Sequence, residues 1–210
     1  MKVGVALGGG GAKGFAHIGF LKACNEAGIK FEVVTGTSIG SLVGAMYAAD
    51  ALAELVKWSC QLRLRDVPGL LSPAWSASGL FTGKNAFDRV VDMMEAEKVE
   101  DLPIPFAAVS SDLQAGEKIT HRSGNLRSAI RASCSIPAIF TPEHYAGRTL
   151  VEGGAFDPLP VQTARELGAD FVVGVDLFGN QPETPEQQGE LAELDKRLWP
   201  RGVLTAQRYL

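Results

Sequence analysis

A serine between two glycines separates two differently patterned stretches of the chain, in the sequence Gly36-Thr-Ser38-Ile-Gly40. Residues 31–35 are a short apolar run, and from Leu42 onward apolar residues recur at helical spacing. A strand, a sharp turn and a helix place the turn residue in a strained conformation, and flanking glycines avoid collisions with neighbouring backbone. The pattern predicts a nucleophilic serine at position 38. The alternative is an ordinary turn, because 24 glycines in 210 residues produce such spacing by chance.

A glycine-rich loop, Gly8 to Gly14, follows the first apolar run of the chain. Backbone N–H groups of such a loop point in one direction and, with the dipole of the following helix, bind negative charge. The ligand is a phosphate or the oxyanion of an acyl-transfer intermediate. Gly9, Gly11 and Gly14 fit a dinucleotide pattern, but the second predicted strand ends in Thr35-Gly36 and supplies no acidic residue for a ribose. The oxyanion interpretation is therefore favoured.

A nucleophilic serine needs a base, and the sequence offers three histidines: His17, His121 and His144. The order Ser38, Asp112, His144 is that of an α/β-hydrolase triad, although His144 falls in a predicted turn where a solvated imidazole is expected. His17 follows the glycine loop by one helical turn and is expected to be a structural hydrogen bonder. Glu152, at the end of a predicted strand, is placed to act as base if it lies within hydrogen-bond reach of the serine.

Apolar periodicity predicts the elements that position these residues. Strands at 2–7 and 31–35 are each followed by a helix, which is the pattern of a parallel, right-handed α/β unit. Further helices are predicted at 51–62, 85–97, 126–133 and from about 160 to 168, and further strands at 105–111, 118–122, 149–152 and 171–177.

One predicted loop, Arg65 to Lys84, combines prolines and glycines with large apolar residues. Loops normally run over the surface in contact with water, so exposed apolar side chains there need a reason. We hypothesise that the segment Leu70 to Phe81 is a lid that contacts an apolar substrate. The alternative is that the loop folds back on the core.

The composition is 46% apolar and 21% charged with a net charge of −4, which is typical of a globular protein and argues against a nucleic-acid partner. The three cysteines are widely spaced and odd in number, so we expect reduced thiols and neither a disulfide framework nor a zinc site. No metal or organic cofactor is implied.

The location and domain organisation are also expectations from sequence. No apolar run approaches the ~18 residues of a membrane span, and glycines interrupt any signal-peptide core, so we expect a cytoplasmic protein with at most transient membrane-surface contact. Residues 1–178 are predicted to form one α/β domain. Residues 179–210 are predicted to be a polar linker followed by an amphipathic helix, with Leu191, Leu194 and Leu198 on one face, or a mobile tail.

Three blocks in order give the chain a resemblance to a known family. These are the glycine loop followed by His17-Ile-Gly19, the Gly36 to Gly40 block, and Val151 to Pro160, with the run AIRASCSIPAIF at 129–140 in support. The chain resembles the bacterial patatin-like phospholipases, serine lipid acyl hydrolases with a Ser-Asp dyad. The resemblance covers about residues 2–177 and implies a three-layer α/β/α sandwich with a mainly parallel central sheet.

The resemblance also implies roles for individual residues. Ser38 is similar to the family's nucleophile, Gly9, Gly10 and Gly11 to its oxyanion loop, and Lys13 to the basic residue that steadies that loop. Glu152 stands where the family has aspartate, and its extra methylene moves the carboxylate outward by roughly 1.5 Å, a displacement that can cost on the order of a hundredfold in rate. Asp157 stands where the family has a polar residue at a helix start, and we interpret it as a cap.

Together these features predict a serine esterase that cleaves carboxylic esters of lipids through Ser38 and Glu152. The competing expectation is a catalytically weak or inactive regulatory or scaffold protein that keeps the fold and interacts through the Leu191 to Trp199 helix.

Overall fold

A mixed sheet forms the centre of the fold in the computed structural model, which describes residues 1–76 and 79–179. Its strands and those of a smaller sheet are β1 Val3–Leu7, β2 Val33–Thr37, β3 Pro73–Ser76, β4 Gly79–Phe81, β5 Phe106–Asp112, β6 Glu117–His121, β7 Ala138–Phe140, β8 Glu143–Tyr145, β9 Arg148–Glu152 and β10 Phe171–Val175. The helices are α1 Phe15–Glu26, α2 Ile39–Ala48, α3 Leu52–Gln61, α4 Val67–Leu71, α5 Lys84–Val91, α6 Leu126–Cys134 and α7 Val161–Glu166.

The central sheet has the order β10-β1-β2-β5-β9-β8, with β6 also paired to β5. The strands β10, β1, β2 and β5 run parallel, whereas β6 and β9 are antiparallel to β5. The parallel part is made by the first two β–α units, as the periodicity predicts, since parallel neighbours need a helical crossover. The predicted α/β fold with a mainly parallel sheet is therefore confirmed.

Helices cover both faces of the sheet. Val34 of β2 belongs to the large apolar core, together with Leu7 and Met46 of α2, all fully buried. Its neighbour Val33 packs instead with Ala164 of α7. Because successive strand residues point to opposite faces, α2 and α7 lie on opposite sides of the sheet, which gives the three layers.

The sequence predictions fail in three places. The stretch 65–84 is not an irregular loop: it contains α4 and the strands β3 and β4, which form a three-stranded sheet with β7. The helix predicted at 85–97 ends at Val91 in a 3-10 turn. The strand β10 is an edge strand with Phe171 55% exposed, not a buried strand.

The predicted segment 179–210, with its Leu191 to Trp199 helix, lies outside the described residues except for its first residue. The domain boundary at residue 178 therefore stays a prediction. In the described part of the chain, no helix is long and apolar enough to cross a membrane.

Candidate active site

Ser38 joins β2 to α2 in a backbone conformation that L-residues rarely adopt, with φ 54° and ψ −128°. Its N–H donates to the Ser133 hydroxyl of α6 at 2.9 Å, and its carbonyl accepts from the N–H and the hydroxyl of Ser41 at 2.8 and 2.7 Å. These bonds hold the strained residue in place, as a nucleophile elbow requires. Ser133 is a residue that the sequence analysis missed, because no motif marks a distant partner of a backbone amide.

The two glycines around Ser38 are required by close backbone contacts. A Cβ atom on Gly36 would lie 2.3 Å from the Gly40 carbonyl oxygen, and one on Gly40 would lie 2.2 Å from the Leu7 carbonyl oxygen. The first contact is within the turn, and the second is with the end of β1. The Gly36–Gly40 segment, called the elbow below, therefore fits only where glycine occupies both positions.

The glycine loop lies against the elbow. A Cβ on Gly14 would lie 2.0 Å from Cγ1 of Ile39, and one on Gly9 would lie 3.7 Å from Cβ of Ser38. The Gly8 carbonyl accepts from Nε2 of His17 at 2.8 Å, which confirms His17 as a structural hydrogen bonder. The fully buried His17 must carry its proton on Nε2 to donate to a carbonyl, and burial lowers its pKa.

The amides of the loop are not equivalent. The Gly9 N–H donates to the Pro158 carbonyl at 3.0 Å, so the expectation that Gly9 contributes an oxyanion donor needs correction. The amides of Gly10 and Gly11 have no hydrogen-bond partner among the residues that the structure describes. Two of the three predicted donors therefore remain. The N–H of Lys13 donates to the Gly10 carbonyl at 3.0 Å and closes the turn, while the role of its side chain stays a prediction.

Strand register brings Glu152 to Ser38. β2 pairs with β5 up to Thr37 opposite Val109, and β9 pairs with β5 up to Glu152 opposite Ser110. Because β6 occupies the other edge of β5 over these residues, β2 and β9 lie on the same edge and meet end to end. The acid thus lies beside the residue that precedes the serine. Burial raises the pKa of Glu152, and the hydrogen-bonding interaction with the Ser38 side chain opposes that shift.

The carbonyl groups of the segment after Glu152 accept hydrogen bonds from β2 and from the glycine loop. The Asp157 carbonyl accepts from the Thr37 hydroxyl at 2.7 Å, the Pro158 carbonyl from Gly9, and the Pro160 carbonyl from the Thr35 hydroxyl at 2.9 Å. We call Glu152–Pro160 the acid segment.

The interpretation of Asp157 as a helix cap is wrong. Its carboxylate pairs with Nζ of Lys118 at 2.8 Å, and α7 begins four residues later, at Val161 with Pro160 as its N-cap.

The alternative triad of Ser38, Asp112 and His144 is not assembled. Asp112 accepts from the amides of Gln114 and Ala115 and pairs with Arg148. His144 is exposed on β8 and bonds to Thr149, so neither side chain is hydrogen-bonded to Ser38 in the described part of the chain. The third histidine, His121, is buried against the Ser110 hydroxyl at 2.7 Å, and burial lowers its pKa to about 4.

An apolar cavity of about 270 Å³ opens beside Ser38. Its walls come from the start of α1, the end of α6, and from α2, α3, α5 and β7. The lining includes Leu55 and Trp58 of α3, Leu62 directly after α3, and Ala86 and Val90 of α5. The described apolar side chains of the hypothesised lid, Leu70, Leu71, Leu80 and Phe81, are not among the residues that line it. The helical spacing of 55, 58 and 62 is the sequence signal that marked this wall.

Groups of three or more histidine, cysteine or acidic side chains suited to a metal ion do not occur within residues 1–76 and 79–179. The polar groups placed around Ser38 are its own hydroxyl, the Glu152 carboxylate and the amides of the glycine loop.

An α/β fold with a strained serine between a strand and a helix defines a class of hydrolytic proteins. The chain belongs to the patatin-like phospholipase family, whose sequence profile matches residues 5–165. It is thus a member of a family of lipid hydrolases, and the resemblance noted in the sequence is confirmed.

Three relatives agree with this family. An uncharacterized NTE family protein of Mycobacterium bovis is 39% identical over 180 residues, which are 86% of this chain and 50% of that protein. The human patatin-like phospholipase domain-containing protein 6 is 36% identical, covering 87% of this chain and 14% of its own length. Lysophospholipase NTE1 of Coccidioides immitis is 34% identical, covering 90% and 12%. The chain thus spans half or less of these relatives.

The crystal structure of VipD from Legionella pneumophila superposes with a TM-score of 0.56 at 16% identity, over 73% of this chain and 46% of that chain. This likeness concerns the fold alone.

Proposed function

We propose that the chain is a serine esterase that hydrolyses carboxylic esters of lipids, with Ser38 as nucleophile and Glu152 as base. The observation that carries the proposal is the meeting of a strained, hydrogen-bonded serine with a half-buried carboxylate at the ends of β2 and β9. A nucleophile and a base brought within hydrogen-bonding range, with a loop of amides beside them, are the components of acyl transfer.

In the first half of the reaction, Oγ of Ser38 attacks the ester carbonyl carbon while its proton passes to Glu152. The carbonyl oxygen becomes an oxyanion, which the amides of Gly10 and Gly11 stabilise. Collapse of the intermediate breaks the ester C–O bond, and the alcohol leaves with the proton from Glu152. In the second half, a water molecule gives a proton to Glu152 while its oxygen attacks the acyl carbon. The acyl C–Oγ bond then breaks, the carboxylic acid is released, and Glu152 returns the proton to Oγ of Ser38.

The environment of Glu152 suits this role. A base is most effective when its pKa lies near the working pH, and burial raises the pKa of Glu152 toward that range. The proposal requires that the end-to-end meeting of β2 and β9 accommodate the extra methylene of Glu152 relative to the aspartate that the family resemblance implies. The second candidate function is a weak or inactive protein that retains the fold.

A lipid substrate is supported by the apolar cavity beside Ser38 and by the similarity to a lysophospholipase of Coccidioides immitis. We further propose that the protein acts from the cytoplasm at membrane surfaces, as the sequence led us to expect.

The test uses purified protein, a fluorophosphonate probe and p-nitrophenyl esters. The variants are Ser38→Ala, Glu152→Gln and Glu152→Asp, each checked for folding by thermal unfolding. Labelling and hydrolysis that are lost in Ser38→Ala and in Glu152→Gln support the esterase. Folded wild-type and Glu152→Asp proteins that neither label nor hydrolyse would rule it out and leave the regulatory role.

A further inference from the structure

The lining of the apolar cavity limits which substrates can bind, and the catalytic residues alone do not set this limit. It starts at Ser38 and Gly11, where the ester carbonyl must lie, and continues between α3 and α5. The lining side chains beyond Ser38 are aliphatic or aromatic, with the thiol of Cys134 as the most polar of them. An unsubstituted hydrocarbon chain is the ligand that such walls accept without leaving a polar group unpaired.

The size of the cavity limits that chain. An apolar cavity of about 150 Å³ holds one benzene molecule, which has six carbons, so by proportion 270 Å³ holds about ten carbons. The length of the walls agrees with one chain: Leu55 lies in α3 and Leu62 directly follows its last residue, Gln61, and the six helical steps from Leu55 to Gln61 span about 9 Å at 1.5 Å per residue.

We propose that this cavity measures the acyl chain, and that the preferred substrates are esters of a single straight acyl group of about eight to ten carbons. The inference rests on the proposed function for its reaction but concerns a binding site that exists without it. In chains up to this length, each added methylene contacts the apolar walls. In longer chains, the additional methylenes extend out of the cavity.

Ala86 is the residue best placed to change the length limit. It lines the cavity from α5 and is only partly buried, so a larger side chain extends into the empty space instead of the packed core. Leucine adds three carbons there, which displace about three methylenes of a bound chain at interior packing density. Ala53 on α3 is an exposed helical alanine outside the cavity, and Ala53→Leu is the matched control.

The first experiment measures kcat/KM for p-nitrophenyl esters from C2 to C16. In the wild type we expect a rise of up to about fourfold per methylene, an optimum at C8–C10, and no further gain beyond it. Ala86→Leu should move the optimum to C5–C7, whereas Ala53→Leu should not move it. An active wild type with a flat profile, or the same optimum in Ala86→Leu, would overturn the proposal.

The second experiment separates this proposal from the proposed function. Calorimetric titration of the Ser38→Ala variant with fatty acids from C6 to C16 needs no turnover. Affinity that increases to about C10 and then levels off, with a shorter limit in Ser38→Ala/Ala86→Leu, supports the cavity as a length-measuring site even if the wild type hydrolyses nothing. Absence of binding in the folded variant refutes it, even if the wild type is an active esterase.

Discussion

The elbow and the acid segment meet at one site but are held there in different ways. At the elbow, the flanking glycines and the Ser41 contacts lie within three residues of Ser38, and the distant Ser133 hydroxyl and Leu7 carbonyl complete its surroundings. Glu152 is placed by the pairing of β9 with β5, and the segment behind it is held by hydroxyl groups from β2.

The difference teaches which half of the site tolerates change. The elbow packs against backbone and tolerates no added atom. A Cβ placed 2.2 Å from a carbonyl oxygen makes a clash that no rotamer change can remove. An arrangement that depends on hydroxyl-to-carbonyl bonds can lose one of them and relax. We therefore expect all-or-none effects at the elbow and graded effects at the acid segment.

The largest effect is expected for Gly40→Ala. The new methyl group collides with the Leu7 carbonyl of β1, so the variant should lose on the order of 4 kcal/mol or more, or fail to fold. Gly19→Ala is the control, because this exposed glycine of α1 has no atom within 4 Å of the added Cβ and should gain about 0.5–1 kcal/mol. Chemical denaturation measures both. A Gly40→Ala protein as stable as the wild type would contradict the proposed rigidity of the elbow.

At the acid segment, Glu152→Gln should abolish most activity, by about a hundredfold or more, yet stabilise the fold at neutral pH. Burial raises the pKa of Glu152, so the folded state binds its proton more tightly than the unfolded state, and stability falls as the pH rises from the ordinary glutamate value through the raised one. Glutamine removes that loss. The melting temperature should rise at pH 7, and the gain should vanish below the ordinary glutamate pKa.

Ser38→Ala is the control for this experiment, because it stops catalysis and keeps the half-buried carboxylate. Its melting temperature should not rise at pH 7. An equal rise in both variants would mean that the stabilisation does not come from the charge of Glu152. The activity of the wild type should also fall on the acid side at a pH above the ordinary glutamate pKa, since the base must be ionised.

A smaller effect is expected in the glycine loop from His17→Leu. Leucine fills the space but leaves the Gly8 carbonyl without its donor, which frees the start of the loop that carries the Gly10 and Gly11 amides. We expect kcat to fall by about tenfold to a hundredfold with KM little changed. His17→Gln places an amide N–H near the position of Nε2 and should recover most of the loss. If both variants fold and both are fully active, the histidine does not position the loop.

The smallest effect distinguishes two hydroxyl groups on the same strand. Thr37→Val and Thr35→Val each remove one buried bond to the acid segment, to Asp157 and to Pro160, and should each cost about 1 kcal/mol of stability. Thr37 adjoins Ser38, so we expect kcat to fall by about threefold to tenfold for Thr37→Val and to stay nearly unchanged for Thr35→Val. Equal activities in the two variants would show that the bond near the serine has no special importance.

The periodicity of the sequence was sufficient for the parallel part of the sheet. β1, α1, β2 and α2 follow from alternating apolar runs and glycine punctuation, because each element contacts the next one along the chain. The region 65–84 was misread as a loop, since β4 pairs with β7 almost sixty residues away and no local pattern marks such a partner. Of its described apolar side chains, Leu80 and Phe81 belong to a small sheet and Leu70 and Leu71 to α4, and none of these lines the cavity.

For the site, the sequence predicted the residue types, but it did not predict which hydrogen-bond partners their backbone amides have. The repeated glycines indicated a loop of amides, but the occupation of the Gly9 amide by the Pro158 carbonyl depends on a contact across 149 positions of the chain. Ser133, which holds the Ser38 amide, lies 95 positions away and carries no recognisable signal.

What the sequence determined by itself is the position of the elbow, because glycines at 36 and 40 leave the room that close backbone contacts around the turn residue need. What only the tertiary structure decided is the partner of the serine and the shape of the cavity beside it. Those depend on the register of β9 along β5 and on the packing of α3 against α5, which are set by contacts between distant segments. Local sequence restricts conformation, and distances between groups far apart in the chain are settled when the core packs.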